Sequence, residues 1–477
     1  MDSLNRKQEA VDLSHHINVK SKSRHPSPLK EIIKFMGYDG MISLAGGTGA
    51  GNQQLIQLAQ DLTEQVHAPP CHYECLLHPG NTNAWSKVVG LLCEDNDFVI
   101  VEEFTYPSAQ ALWIPLGIKA APVSADAEGI LATNLREMLE NWDEKLRGSR
   151  RPRITARMLI SYYSLYLVSV GSNPTGITIS AKRRREIYQV CVEFDLVIVE
   201  DDPYYFLQYP GYSPQAEEQP YQPKSTEDFL KSLTPSFLSM DTQGRVIRLE
   251  SFSKTIFPGL RLGYFIANPL FTERLLRATE VETQDPAGLS QAFTLALFNQ
   301  WGVNGYLLWL QSLQYQYKTR RDWLVSAIYG QFTVVSAAKS PLPTAQGHVA
   351  CLQDKENGKL RPVFSFVDPE AGMFVWSKFY FGGVARFVEL EAQSIEDPEQ
   401  AFAQELWEAM VAELVLLTPG SYYHAWQGPD KASTKARGAD PRSAFFRLSF
   451  ATPTKEQIEE GVKRMRKVIG RFWEATS

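Results

Sequence analysis

The fold of this chain is most constrained by two short, almost wholly apolar runs, residues 97–102 (DFVIVE) and 196–200 (LVIVE), each bounded by charged residues. Runs of this length and composition are typical of strands buried on both faces of a parallel sheet. Two more strands are predicted at 246–249 and 262–266, and helical patterns separate the strands. The sequence therefore predicts an α/β fold with a mainly parallel sheet, whose ligands gather at the carboxyl ends of the strands.

One helix between these strands is specified in detail. Ser180 is expected to cap its amino end, and its apolar residues recur at the spacing i, i+3, i+4, i+7. These residues are Ile187, Val190, Cys191 and Phe194. The pattern predicts that residues 182–185, a lysine and three arginines, lie on the solvent side.

Three regions are predicted along the 477 residues. Residues 1–45 form an N-terminal arm, residues 46–320 a large ligand-binding domain, and residues 321–477 a smaller α+β C-terminal domain. In the small domain, strands are predicted at 372–376 (GMFVW) and 444–450 (AFFRLSF).

Composition narrows the class of partner. Charged residues make up 21% of the chain and the net charge is −6, so nothing favours nucleic acid or an anionic membrane. No apolar run of about 18 residues occurs and the N-terminus is polar, which predicts a cytoplasmic protein without a secretion signal. Cys71 and Cys75, with His72 and His78, fit no standard zinc spacing, so free thiols and no metal site are expected.

Lys254 lies in the segment SFSKTIFPGLR, with Ser251 and Ser253 before it and Arg261 seven residues after it. A lysine amine can form a Schiff base with an aldehyde cofactor, and serines with an arginine can hold a phosphate. Pyridoxal 5′-phosphate (PLP) carries both groups. The segment therefore predicts a PLP site.

Two further segments follow strands. Asp202 and Tyr205 come after the strand at 196–200, where a carboxylate suits the pyridine nitrogen of PLP and a tyrosine suits its phenolic oxygen. Asn173, in the turn GSNPTG, suits the same oxygen. The structural alternative is a helix-capping aspartate, packing tyrosines and an ordinary Asn-Pro turn.

Four other residues are candidates for the same site. Asn81 and Thr82 begin a helix, whose backbone N–H groups can bind phosphate or serve simple capping. Tyr106 follows the strand at 97–102 and either stacks on the pyridine ring or packs. Arg447 lies in an otherwise apolar strand, where it either pairs structurally or binds the carboxylate of an α-amino acid.

Together these segments resemble the fold-type I, class I/II aminotransferases, and among them the fungal aromatic aminotransferases and their kynurenine/2-aminoadipate relatives. The resemblance is carried, in chain order, by RHPSPLK, MISLAGG, GNTNAW, SNPTG, EDDPYYFLQY, GRVIRLESFSK, PGLRLGY, GMFVW and FFRLSF. It implies that Lys254 holds the cofactor and then moves the substrate proton. It also implies a set of cofactor-binding residues, namely Asn81, Thr82, Tyr106, Asn173, Asp202, Tyr205, Ser251, Ser253, Lys254 and Arg261. Arg24, Gly47 and Arg447 would bind the substrate.

The resemblance implies transfer of an amino group from an L-amino acid to a 2-oxo acid such as 2-oxoglutarate, in a homodimer with its site at the interface. Aromatic, 2-aminoadipate, kynurenine and lysine-like donors remain open. The alternatives are other PLP chemistry on amino acids, such as C–S β-lysis or decarboxylation, or a degenerate PLP fold without turnover, because the same polar groups serve each.

Two stretches depart from the family pattern. After Gly47, two family segments are joined without the proline-rich stretch that normally helps build the substrate pocket and the dimer contact. Residues 154–167 (ITARMLISYYSLYL) are longer and richer in tyrosine than the expected strand. Both are interpreted as specialisation or as an error in the gene model.

Overall fold

The computed structural model describes residues 7–26, 51–142, 162–214, 220–353 and 358–474. Its helices are α1 (Val19–Lys22), α2 (Gly51–His67), α3 (Asn81–Leu92), α4 (Pro107–Trp113), α5 (Ala132–Glu140), α6 (Ala181–Glu193), α7 (Thr226–Lys231), α8 (Pro269–Glu282), α9 (Gly288–Gln331), α10 (Ala385–Ala392), α11 (Pro398–Ala412), α12 (Thr434–Arg437) and α13 (Lys455–Trp473). Its strands are β1 (Glu74–His78), β2 (Phe98–Glu102), β3 (Lys119–Val123), β4 (Ala125–Asp126), β5 (Gly129–Ile130), β6 (Tyr162–Leu167), β7 (Val197–Asp201), β8 (Val246–Ser251), β9 (Gly263–Ala267), β10 (Thr333–Ser336), β11 (His348–Gln353), β12 (Leu360–Phe366), β13 (Phe374–Tyr380), β14 (Thr418–Pro419) and β15 (Ser443–Ser449).

The large sheet has the strand order β1-β9-β8-β7-β6-β2-β3 in the part of the chain that the structure describes. In this order, the five strands β8, β7, β6, β2 and β3 pair in parallel with their neighbours among these five. Strand β9 runs antiparallel to both of its neighbours, β1 and β8. The four predicted strands of this region are confirmed as β2, β7, β8 and β9, each within two residues at either end. The mainly parallel α/β fold is confirmed as well.

Side chains alternate between two cores on the two faces of this sheet. On β7, Val197 and Val199 pack toward α3, α4 and α8, whereas Ile198 packs toward α2, α5 and α6. Because both faces are covered by helices, the strand reads as a continuous apolar run. This alternation decides which of the polar residues at the end of β7 share a face.

The second sheet, β10-β11-β12-β13-β15-β14, is antiparallel throughout. The predicted strand at 444–450 is confirmed as β15, and the one at 372–376 starts later and runs further, as β13. In the register of these two strands, Trp376 lies opposite Arg447. Phe446 and Leu448 point into a core with α11 and α13, so Phe445 and Arg447 lie on the other face of β15.

The long helix α9 contributes to both cores. Leu307 and Leu310 belong to the core under the large sheet, whereas Leu324 and Val325 belong to the core of the second sheet. The predicted boundary at residues 320/321 falls between these pairs, and we retain it as a proposal. The boundary at 45/46 lies outside the described residues.

The predicted helix over residues 181–194 is confirmed as α6, and Ser180 caps it by accepting from the Arg183 N–H. The solvent side predicted for residues 182–185 is wrong for Arg184, which is fully buried. Arg184 lies three residues before Ile187 and seven before Cys191, so the helical spacing places it on the apolar face.

Membrane insertion through a helix finds no support in the described residues. None of their helices combines the length and the apolar character that a membrane span requires.

Candidate active site

The carboxyl ends of four parallel strands meet at one edge of the large sheet, at Glu102, Leu167, Asp201 and Ser251. The loops that leave these ends carry six of the ten predicted cofactor-binding residues. They are Tyr106, Asn173, Asp202, Tyr205, Ser253 and Lys254. Segments far apart in the sequence are thus gathered where an open α/β sheet binds its ligand.

Arg261 and two serines form a cluster beside the start of α3. Arg261 Nη1 donates to Ser253 Oγ at 3.1 Å, and Ser251 Oγ donates to Ser253 Oγ at 2.9 Å. Arg261 Nη2 donates to the carbonyl of Pro79 at 3.2 Å, just before α3 begins. Three predicted phosphate ligands therefore lie together next to a helix amino end, where backbone N–H groups lack partners within the helix.

Gly80 permits this close approach. Its φ is +99°, and a Cβ atom there would lie 1.9 Å from Arg261 Nη2. Arg261 itself has a φ of 48°, in the left-handed region that residues other than glycine rarely adopt. Both backbone conformations serve to bring a guanidinium group against the helix start.

The two predicted residues at the start of α3 differ in their contacts. Asn81 Nδ2 donates to Asp201 Oδ1 at 2.7 Å and to the carbonyl of Leu249 at 2.9 Å, so this amide faces the strands. Thr82 is exposed. Their backbone N–H groups lie in the first turn of α3, where a helix leaves such groups without partners of its own.

Asp201, which the sequence analysis did not select, ends β7 on the face of Val197 and Val199. Its Oδ2 accepts from the Tyr166 hydroxyl at 2.7 Å and its Oδ1 from Asn81. Burial raises the pKa of Asp201, and these two donors oppose that effect. The carboxylate is thus connected directly to the helix start that lies beside Arg261.

The structure does not bring Asp202 and Tyr205 into this group. Asp202 Oδ2 accepts from Ser169 Oγ at 2.8 Å and lies 3.4 Å from Arg248 Nη1. Tyr205 packs its ring between His67, at a centroid distance of 4.9 Å, and the Arg248 guanidinium, at 4.6 Å. Both residues therefore belong to a buried polar network rather than to the Asp201 side of the strand.

This network, which the sequence analysis missed, is centred on Arg248. Its Nη1 lies 2.7 Å from Glu200 Oε2 and its Nε 2.7 Å from Glu250 Oε1, and all three side chains are almost completely buried. Arg184 Nη1 reaches Glu200 Oε1 at 3.2 Å. Burial raises the pKa of Asp202 to about 7, although the charge of Arg248 opposes that effect. These ion pairs tie α6, β7 and β8 together beneath the site.

Lys254 follows β8 and is half-buried. Burial lowers the pKa of its amine, and the positive charges of Arg261 and Arg447 lower it further. Among the described residues, no carboxylate forms an ion pair with this amine. A lysine in such surroundings carries a larger neutral fraction at physiological pH, and the neutral amine is the nucleophile and base.

Arg447 reaches across from the second sheet to the SNPTG loop. Its Nη1 donates to Asn173 Oδ1 at 2.6 Å and its Nη2 to Thr418 Oγ1 at 3.3 Å. The guanidinium lies over the rings of Phe374 and Tyr423, at 4.2 and 5.2 Å. Burial lowers its pKa, and no described carboxylate pairs with it. This arrangement leaves a cation available for a bound carboxylate.

Tyr204 is electrostatically linked to both Asp201 and Arg447. Burial raises the pKa of its hydroxyl and the charge of Asp201 raises it further, whereas Arg447 opposes that effect. The hydroxyls of Tyr423, Tyr204 and Tyr106 in turn raise the pKa of Arg447, against the lowering by burial. Tyr106 was predicted and Tyr204 was not. Asp201 and Tyr204 are three residues apart, as Asp202 and Tyr205 are. The sequence therefore contains the same aspartate–tyrosine pattern twice, shifted by one residue.

The remaining predicted substrate residues are not brought to the site. Arg24 pairs with Glu282 near the end of α8, and its carbonyl accepts from Arg274 Nη1 at 3.1 Å. Gly47 lies outside the described residues, as do residues 154–161 of the tyrosine-rich stretch.

Comparison of the sequence with known families gives one match that covers most of the chain. Residues 74–465 match the family described as aminotransferase class I and II. An aromatic amino acid aminotransferase of Schizosaccharomyces pombe is 31% identical over 523 aligned residues, which cover 96% of this chain and 98% of that protein.

Two further proteins extend the comparison. The L-tyrosine:2-oxoglutarate aminotransferase atrD of Tapinella panuoides is 37% identical over 461 residues, covering 90% of this chain and 79% of that protein. The crystal structure of aminotransferase Aro8 from Candida albicans superposes with a TM-score of 0.80 at 27% identity, covering 98% of this chain and all of that one.

Proposed function

Because this chain belongs to the class I and II aminotransferases, we propose that it transfers the amino group of an aromatic L-amino acid to a 2-oxo acid such as 2-oxoglutarate. It is an enzyme, and its cofactor is PLP. The proposal therefore concerns the donor and the role of each residue.

The phosphate of PLP fits the cluster beside α3. Arg261 supplies charge, Ser251 and Ser253 supply hydroxyls, and the start of α3 supplies unpaired backbone N–H groups. Because Gly80 has no Cβ atom, the guanidinium of Arg261 occupies the space where that atom would lie. We assign Asn81 and Thr82 to this phosphate through their backbone.

For the ring, we replace the predicted Asp202 and Tyr205 by Asp201 and Tyr204. Asp201 accepts two hydrogen bonds, and an ionised carboxylate has room for about four, so it can also accept one from a protonated pyridine nitrogen. Asn173 accepts from Arg447 through its Oδ1, which leaves its Nδ2 to donate to the phenolic oxygen, and we assign Tyr204 to the same oxygen. We assign Tyr106 to stacking on the ring.

When bound, PLP supplies the aldehyde that receives the amino group and a ring that withdraws electrons from the substrate Cα. Lys254 would hold the cofactor, and its amine would take the proton from the substrate Cα. The lowered pKa of Lys254 favours that role, since it leaves more of the amine unprotonated. Asp201 keeps the ring nitrogen protonated.

The observation that carries this proposal is the unpaired guanidinium of Arg447 beside the loops that hold Lys254 and Asn173. It suits the α-carboxylate of an amino acid. The guanidinium lies over the rings of Phe374 and Tyr423, which favours an aromatic substrate. Arg24 and Gly47 stay predictions as further substrate contacts.

A donor screen on the PLP-loaded enzyme tests the proposal. With 2-oxoglutarate as acceptor, kcat/KM for tyrosine and phenylalanine should exceed that for 2-aminoadipate and lysine by about tenfold or more, since an apolar wall binds a charged side chain poorly. Release of ammonia or thiol without a 2-oxo acid would instead identify lyase chemistry. Equal kcat/KM values for all donors would remove the aromatic assignment.

We also propose that the enzyme is a homodimer, located in the cytoplasm. The described cysteines are free, which suits a reducing compartment. Phe257, three residues after Lys254, is exposed, as are Leu289 and Phe293, which lie four residues apart on α9, with Leu289 85% exposed. Phe257 and Phe293 are in ring contact at 5.6 Å. A patch of this kind beside an active site favours an interface between two copies.

Charging this patch should separate the copies. In the double variant Leu289→Asp, Phe293→Asp, two carboxylates would have to be buried without partners, so we expect a monomer by light scattering and at least about tenfold weaker association. Leu416→Asp is the matched control, because Leu416 is 81% exposed in the second domain. A double variant that keeps the mass of the wild type would contradict the proposal.

A further inference from the structure

A cavity of about 500 Å³ lies on the face of the second sheet that is turned toward the large domain. Its floor is the loop after β2, with Glu103 and Phe104, and its roof is formed by Trp376 and Lys378 of β13 and Phe445 of β15. Lys254, Asp201, Arg261 and Arg447 are not among the described residues that line it. The cavity is therefore separate from the proposed catalytic site.

Three aromatic rings form one wall of the cavity. The rings of Trp376 and Phe445 stack with centroids 5.2 Å apart at an interplanar angle of 11°, and Phe104 contacts both at 5.0 and 4.7 Å. Arg447 lies directly opposite Trp376 and two residues beyond Phe445. The cavity thus lies on the same face of the second sheet as the proposed substrate arginine, displaced from it along β15.

Glu103 brings an unpaired negative charge to this cavity. Burial raises its pKa, and the positive charges of Lys378 and Arg437 oppose that effect. Lys378 is already engaged, because it pairs with Asp440 and donates to Thr344 Oγ1 at 3.0 Å. No described residue donates a hydrogen bond to the Glu103 carboxylate or forms an ion pair with it, although Lys378 and Arg437 lie near enough to act on its pKa.

Two residues of the lining bring unpaired donors. Arg437 Nε and Trp376 Nε1 are buried, and neither donates to any described group. A buried donor without an acceptor is destabilising, so two of them beside one cavity favour a bound group that accepts from both. His424, which also lines the cavity, adds no charge, since burial lowers its pKa to about 3.

We propose that this cavity is a second binding site for a free aromatic α-amino acid. The carboxylate of the ligand accepts from Arg437 and Trp376, its ammonium group pairs with Glu103, and its ring packs against Phe104. A cavity of this volume lies in the usual range of about 300–1,000 Å³ for small-molecule sites.

Only a zwitterion satisfies all of these groups at once. An inorganic anion would meet the two donors but would lie close to the unpaired carboxylate of Glu103. A simple amine would pair with Glu103 and leave Arg437 and Trp376 without acceptors. Phe445 of the aromatic wall lies on β15, the strand that also carries Arg447. A ligand bound in the cavity would therefore lie next to the proposed substrate strand.

Calorimetric titration of L-phenylalanine tests the site. The holoenzyme is first reduced with borohydride, which fixes the cofactor to Lys254 and prevents turnover. Saturable binding should persist in Arg447→Met, which removes the proposed catalytic carboxylate site. It should weaken by about tenfold or more in Arg437→Met and in Glu103→Gln, since each change removes one charged hydrogen bond.

Matched controls separate this site from general damage. Arg386→Met, which alters a surface arginine of the same domain that pairs with Glu405, should bind as the wild type does. 3-Phenylpropionate and 2-phenylethylamine each lack one charge and should bind about tenfold more weakly. Loss of binding in Arg447→Met, or unchanged binding in both Arg437→Met and Glu103→Gln, would overturn the proposal while leaving the aminotransferase assignment intact.

Discussion

Replacement of Lys254 by alanine is expected to lower amino transfer by on the order of 10⁴-fold, because the variant loses both the covalent hold on PLP and the base that takes the Cα proton. The described surroundings offer no second lysine in the cluster of Arg261, Ser251 and Ser253. The measurement is single-turnover transfer from tyrosine with PLP in excess.

The accompanying spectrum makes the result specific. PLP should still bind to Lys254→Ala through its phosphate, yet borohydride should no longer fix it to the protein. Lys231→Ala is the control, since Lys231 is a surface lysine paired only with Glu227, and it should behave as the wild type. Full turnover by Lys254→Ala would disprove the assignment of the catalytic lysine.

Four strands of the large sheet could be predicted from the sequence because short apolar runs between charged residues fit few structures other than buried strands. β2, β7, β8 and β9 appear where the pattern predicts them. The clustering of Ser251, Ser253 and Arg261 was predictable for a related reason. These residues lie in one continuous segment, so their proximity depends on a single turn rather than on the whole fold.

The choice between Asp201 and Asp202 could not be made from the sequence. In a strand buried on both faces, alternation leaves no polar side to mark the ligand, so two adjacent carboxylates look equivalent. The structure separates them by their neighbours, Asn81 and Tyr166 for Asp201, and Arg248 and Ser169 for Asp202.

The buried polar network around Arg248, which includes Arg184, could not be predicted from the sequence for a different reason. A buried arginine is tolerated only when carboxylates reach it from other elements, and Glu200 lies on β7, the strand that follows the helix of Arg184, so their contact depends on how that helix packs against the sheet. Such pairs depend on tertiary packing. The same holds for Arg24, whose partner Glu282 lies more than 250 residues away.

The substitution Asp201→Asn should therefore lower kcat more than the substitution Asp202→Asn does. Asp201→Asn removes the charge that keeps the pyridine nitrogen protonated, and a charged hydrogen bond of about 1.5–3 kcal/mol corresponds to a loss of roughly 10- to 150-fold in kcat. The visible absorption of bound PLP should shift as well. Asp202→Asn should keep kcat within about threefold and alter mainly the melting temperature, because it changes the Arg248 network.

One feature of Asp202 makes the comparison decisive. Its Oδ1 is buried and accepts no hydrogen bond from the described residues. A carboxylate that binds a pyridinium N–H would have such a free oxygen. The three carboxylates around Arg248 and Arg184 explain this equally well, since two guanidinium groups cannot neutralise Glu200, Asp202 and Glu250 together. If Asp202→Asn, and not Asp201→Asn, abolished turnover and shifted the absorption of PLP, the ring would lie against Asp202. The three-residue spacing would then assign Tyr205 to the phenolic oxygen in place of Tyr204.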